Sequence, residues 1–214
     1  MKLFPQLTHG EGNGVDRACL MTASNMLIGR GEDGDKNHCV CDVIRAFVIV
    51  TNDAMPEHLL GPLYGPLTIE ILGTRTNDPS VLVARAMAFA DWAVREIAPL
   101  ALEASGRLSL AKQLRSLAPV CDQKTAIVAH TVAAVVASDS NSRFVGYAAK
   151  SASNAASAAY ISAASYAAHL ASAVLTSSVW DKCPEIIRRV AAIGDQRPVE
   201  RVISQRDLVH RLGA

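Results

Sequence analysis

Arg75 sits in GTRTNDPS (73–80), just ahead of a helix start signalled by Asp78 and Pro79. A planar guanidinium beside the free amides of a helix N-terminus makes an anion site, because fork and dipole act on the same charge. The plainer alternative is that Arg75 ties its loop to the domain by bonding free carbonyls. Arg17 and Arg45 supply further cations, and Asn52-Asp53 ends a helix ahead of Met55-Pro56. Asp91 and Arg95 are four apart, which an ion pair within one helix explains without any reaction. The expectation is that Arg75 and Asp53 lie close together, with Arg17, Arg45 or Trp92, in one N-terminal pocket. The candidate ligand-binding residues are therefore Arg17, Arg45, Asn52, Asp53, Thr74, Arg75, Asp91 and Trp92. GEGNG (10–14) adds glycine-rich backbone ahead of a helix, but without the Lys-Ser/Thr pair of a phosphate loop.

Catalytic and metal signals are thin. Ser is abundant, yet no G-x-S-x-G, H-E-x-x-H or Cys/His signature sets a nucleophile beside a base. Catalysis would need Asp53 or Asp91 as a general base. Cys19, His38, Cys39 and Cys41 carry the atoms of a zinc site, but C-x-C at a helix start turns its two thiols to different sides. Asp33, Asp35 and Asn37 open like a calcium loop, then His38 stands where Gly is needed and Ile44 where the closing acid is needed. Neither a metal nor a cofactor is expected.

The elements that would hold these residues are helices. Residues 1–14 read as an irregular leader. A first helix is expected from Asp16, as N-cap, to Ile28, and RGEDGDKNH is a polar loop. A second helix, Val40 to Ala54, carries Val43, Phe47 and Val50 on one face, although FVIV alone also suits a strand. Prolines 56, 62 and 66 limit the next stretch to short helical pieces. From Pro79 the chain VLVARAMAFADWAVREIA is helical until Pro99 kinks or restarts it, and Gly106 closes the segment. A short helix follows over about Ser109 to Leu117.

After Asp122 the composition turns to Ala, Ser and Val, broken once at SDSNS (138–142), and residues 151–180 carry no Asp, Glu, Lys or Arg. That run has too few large aliphatics for a membrane span. It reads either as a central helix surrounded by its own domain or as a smooth face for a second copy, with Tyr160 and Tyr166 as anchors. A rod longer than about 40 Å would need such cover. A homodimer or larger assembly through this helix is expected. Cys183-Pro184 should begin or restart a helix ending at Gly194, and Ser204 to Asp207 forms a capping-box pattern.

The sum is one all-α domain over 1–214, with a mixed-helix half (15–121), an Ala-rich half (122–214) and about eight helices of unequal length, the longest expected inside 143–180. Basic and acidic side chains number 21 and 20, so the excess that a nucleic-acid partner demands is missing. Five cysteines, an odd set, with no secretory signal ahead of them point to the cytoplasm.

ACLM (18–21), CVCDVIRAF (39–47), TNDAMP (51–56), ILGTR (71–75) and FADWAVR (89–95), followed by the Ala-rich half, resemble a group of uncharacterised bacterial and phage helical proteins. The resemblance implies a phage or mobile-element accessory protein in the cytoplasm of its host, and no reaction. The functional expectation is a binding protein that sequesters a small anionic, nucleotide-like ligand, conceived as anti-defence. The rival classes are a module that blocks or scaffolds a host protein, and a nucleotide-processing enzyme.

Overall fold

The computed structural model describes residues 6–10, 12, 16–29, 37–174 and 177–194. Helices dominate, as expected, with one departure at the N-terminus. There β1 (Gln6–Leu7) pairs in parallel with β2 (Arg17–Ala18). Part of the expected leader is thus a strand, and the first helix, α1 (Leu20–Leu27), starts four residues later than Asp16. Asp16 gives its carbonyl to the Gln6 N–H at 2.7 Å, and the cap is Cys19, whose sulfur accepts the Thr22 N–H. Pairing with Gln6–Leu7 keeps Arg17 and Ala18 extended.

Helix α2 (Asp42–Ala54) settles the FVIV ambiguity in favour of helix, with Val43, Phe47 and Val48 buried. Short α3 (Glu57–Tyr64) and α4 (Leu67–Glu70) fill the proline-rich stretch. At α5 (Pro79–Trp92) the Asp78 carboxylate accepts the Ser80 N–H, with Pro79 in the first turn. The helix then widens into a π turn over Ala93–Ile97, where the Ala98 N–H reaches back to the Ala93 carbonyl, and continues as α6 (Ala98–Ala104). The wider turn lets the chain pass Pro99, whose ring would crowd a regular α-helical turn. Gly106, at φ +76°, closes the segment in the left-handed region where glycine is unstrained. Helix α7 is Leu108–Arg115.

The Ala-rich half departs most from expectation. Helix α8 (Gln123–Ser140), with Asp122 and Thr125 in a reciprocal capping box, is longer than either helix of the uncharged run. That run is not a rod. Helix α9 (Arg143–Ala156) ends in a tight turn, and α10 (Tyr160–Ala173) folds back against it. In the turn Ala158 takes φ +62°, the Ala159 N–H bonds the Asn154 carbonyl, and the Ala158 N–H bonds that of Ala155. This is a Schellman ending with alanine where glycine is usual, which is why no glycine marks it in the sequence.

Helix α10 lies against α2, α5 and α9 and buries Ala163, Ala164, Ala167, Ala168 and Ala171. The small-residue faces of the uncharged run are therefore covered by the chain's own helices. Tyr166 stacks on Tyr147 of α9 at 6.3 Å. Helix α11 (Ser177–Ala191) runs straight through Pro184 instead of starting there. Buried Trp180, Ile186, Ile187 and Val190 hold it on both sides of the proline, so tertiary contact outweighs one missing backbone bond. The capping-box pattern at 204–207 lies outside the described residues. No described helix is long and apolar enough to cross a membrane.

Candidate functional site

The expected pocket residues occupy separate places, distributed by helix α2. At its first turn the Asp42 carboxylate accepts from Arg45 and from Arg75, each at 3.0 Å, and the Arg75 N–H bonds the Cys39 carbonyl. The Arg75 fork is thus engaged by an acid. The adjacent α5 N-terminus is also occupied, since Asp78 accepts both the backbone N–H and the hydroxyl of Ser80. Those Ser80 bonds hold the Asp78 carboxyl below its usual range. Thr74 is buried, accepting the Cys41 N–H and donating to the Ile71 carbonyl.

Asn52 and Asp53 stand at the other end of α2. Eleven residues separate Asp53 from Asp42, about 16 Å along a helix, so Arg75 and Asp53 do not share a site. Buried Asn52 accepts the Leu20 N–H and donates to the Thr8 carbonyl, while exposed Asp53 accepts the Gly10 N–H at 3.1 Å. Arg17 meets Glu57 at 2.6 Å and Thr8 at 2.9 Å. The Thr8 hydroxyl, then Arg17, hold the Glu57 carboxyl below its ordinary value. Together these groups form a polar clasp that fixes the N-terminal strand to α2 and α3. Beside Asn52 and Asp53 lies a crevice of about 60 Å³, well under the roughly 300 Å³ at which ligand pockets begin.

Asp91 accepts from Arg95 and from the Val120 N–H at 2.9 Å, anchoring the segment before α8. Trp92 is buried edge-on against Phe47, which stacks on Phe89 at 4.5 Å. Both serve the fold. Of the thiol group, Cys19 caps α1, Cys41 is buried at the start of α2 and Cys39 is half-buried. No group of three or more His, Cys, Asp or Glu is arranged to hold a metal among the described residues. The candidate acids Asp33 and Asp35 lie outside the described residues.

Sequence reasoning missed a cleft of about 750 Å³ between the α6–α7 turn and the α8–α9 turn. Arg107, Ser105, Asn141, Ser142, Arg143 and Phe144 line it. Gly106 turns the chain so that Arg107 follows on one wall. On the other, Asn141 at φ +47° ends α8 and Ser142 starts α9. Ser142 makes no side-chain cap bond, so the first amides of α9 lack the carboxylate or hydroxyl cap that α5 and α8 possess. Among the described residues Arg107 reaches only the Asp139 carbonyl, at 3.4 Å, and the Arg143 guanidinium lies over the half-buried Phe144 ring, 5.3 Å from its centre. The described walls contain no carboxylate, imidazole or thiol. Two signals in the sequence touch this place, the Gly106 stop and the SDSNS break, but 36 residues separate the arginines they carry.

A second cavity, about 470 Å³, opens between α1, α3 and α4. Its walls include Leu7, Pro62, Pro66 and Ile69, with Glu57 as its acid. Its chemistry is opposite to that of the first. Comparison with family models, with curated proteins and with solved structures finds nothing that matches this chain.

Proposed function

We propose that this protein is a non-catalytic binder of a small anionic ligand, of nucleotide type, held in the cleft between Arg107 and Arg143. The observation that carries this reading is two arginines from separate helices lining one cleft whose described walls hold no acid. Arg forks suit phosphate or carboxylate oxygens, and the uncapped amides of α9 add donors of the same sign. Phe144 lines the cleft beneath the Arg143 guanidinium, and the serines and Asn141 offer polar contacts. Binding rather than turnover is the reading supported by walls whose described side chains include no carboxylate, imidazole or thiol to take a proton. The resemblance read in the sequence supports a phage or mobile-element setting, in which removing a nucleotide signal serves against host defence.

The test is equilibrium binding with a panel of cyclic and linear nucleotides, followed by denaturation and chromatography of the released ligand. Intact ligand supports the reading, altered ligand means an enzyme, and no uptake sinks it. Arg107→Ala and Arg143→Ala should each weaken the best ligand by roughly tenfold to a hundredfold. Arg75→Ala should leave binding unchanged.

A further inference from the structure

Helix α8 lies at the margin of the domain, seated mainly on α9 with a smaller contact to α7. Its buried stripe is Ala126, Ala129, Ala133, Val136 and Ser140. On the opposite side Ile127, Val128 and Val135 remain 51, 49 and 53% exposed, three of the five large hydrophobic side chains so exposed among the described residues. Lys124, Val128, Thr131 and Val135 follow steps of four, three and four, the spacing of a helix-pairing seam. With Ile127 and Asp139 they fall within an arc of about 120° at 100° per residue. An apolar stripe of this kind invites cover.

The order along the stripe indicates what covers it. A cation stands at its start and an anion at its end, and neither Lys124 nor Asp139 joins a salt bridge among the described residues. If the stripe is laid against itself in reverse, Lys124 faces Asp139, Val128 faces Val135, and Thr131 sits beside the centre. A two-fold interface requires a patch that is its own complement, and this one is. Parallel pairing would set Lys124 against Lys124 and Asp139 against Asp139, with the helix dipoles aligned unfavourably. We infer that two copies of the chain associate through α8, antiparallel about a two-fold axis near Thr131.

The seam is one helix of about 27 Å, small beside the roughly 800 Å² per partner of a tight complex, so association should be concentration-dependent. Sedimentation of the whole chain from about 1 to about 200 µM tests this, a range set by the affinity expected of such an interface. The mass should rise from monomer to dimer. Lys124→Glu and Asp139→Lys, separately, should each weaken the dimer roughly tenfold, since each places like charges together at both ends of the seam. The double swap should return it to within about twofold of the original, because the opposite charges then face again. All these side chains are exposed, so circular dichroism should not change. A monomer at every concentration overturns the proposal. So does a dimer that ignores the single swaps or is not restored by the double one.

Discussion

Arg85 is only 1% exposed and meets no carboxylate among the described residues. Its fork donates instead to the carbonyls of Thr74, at 2.6 Å, and Ile193, at 2.8 Å. One side chain thereby ties α5 both to the loop before it and to the end of α11, 108 positions away. Guanidinium suits this better than any other group, since it offers several rigid donors and is less strongly hydrated than an ammonium. Arg85→Met keeps most of the volume and leaves both carbonyls without their partner. It should destabilise the fold by about 2–4 kcal/mol, measured by urea denaturation. A change under about 0.5 kcal/mol would mean that the two carbonyls find other donors. At the same scale Arg75 shows why a residue type is not yet a site. Its position ahead of α5 was legible, but the acid that engages it, Asp42, lies 33 positions away.

Helix endings are decided by a few local bonds, and Ala158 shows one made without the favoured residue. A non-glycine residue in the left-handed region costs about 1 kcal/mol. Ala158→Gly should therefore raise stability by about 0.5–1 kcal/mol and the melting temperature by about 1–4 °C, readable by calorimetry. If the substitution were neutral or harmful, the left-handed turn between α9 and α10 would be in question. The equivalent ending of α8 already has Asn141, which tolerates that region better. Helix α11 makes the opposite point. Its proline would stop an isolated peptide, yet buried side chains before and after it keep one helix.

For the whole molecule, the central place of α10 governs what the Ala-rich half can tolerate. Ala163 is fully buried, and its carbonyl accepts the Ser151 hydroxyl at 2.7 Å where α9 and α10 lie together. Ala163→Glu should cost at least about 4 kcal/mol and leave the chain largely unfolded by circular dichroism, since the carboxylate finds neither space nor a partner. A second whole-molecule effect is acid sensitivity. The Glu57, Asp78, Glu103 and Asp122 carboxyls are all held below their ordinary values, by Thr8 and Arg17, Ser80, Arg115 and Thr125 respectively. A carboxyl depressed in the folded state adds stability above its unfolded pKa, and that stability is lost as pH falls through the folded value. The urea midpoint should stay level above about pH 5 and decline below about pH 4. Thr8→Val combined with Arg17→Ala should make that decline shallower. An unchanged acid limb in the double variant would show that the clasp around Glu57 does not contribute.

Sequence alone determined the helical character of the chain and those ends that depend on neighbours within a few positions. Asp78-Pro79 and Gly106 act where they were read, because capping and backbone conformation are local, whereas the reciprocal cap of Asp122 and Thr125 came only with the structure. Tertiary structure decided what depends on distant groups meeting. It pairs Arg17 and Ala18 with the N-terminal strand, folds the uncharged run into α9 and α10, carries α11 through Pro184 and brings Arg107 to Arg143. None of these has a signal of fixed spacing, because the partner is chosen by which helix faces lie together once the apolar stripes are buried. Asp42 and Asp53 illustrate the limit. One helix carries both, eleven residues apart, and its rigid rise of about 1.5 Å per residue keeps Arg75 and Asp53 from sharing a pocket.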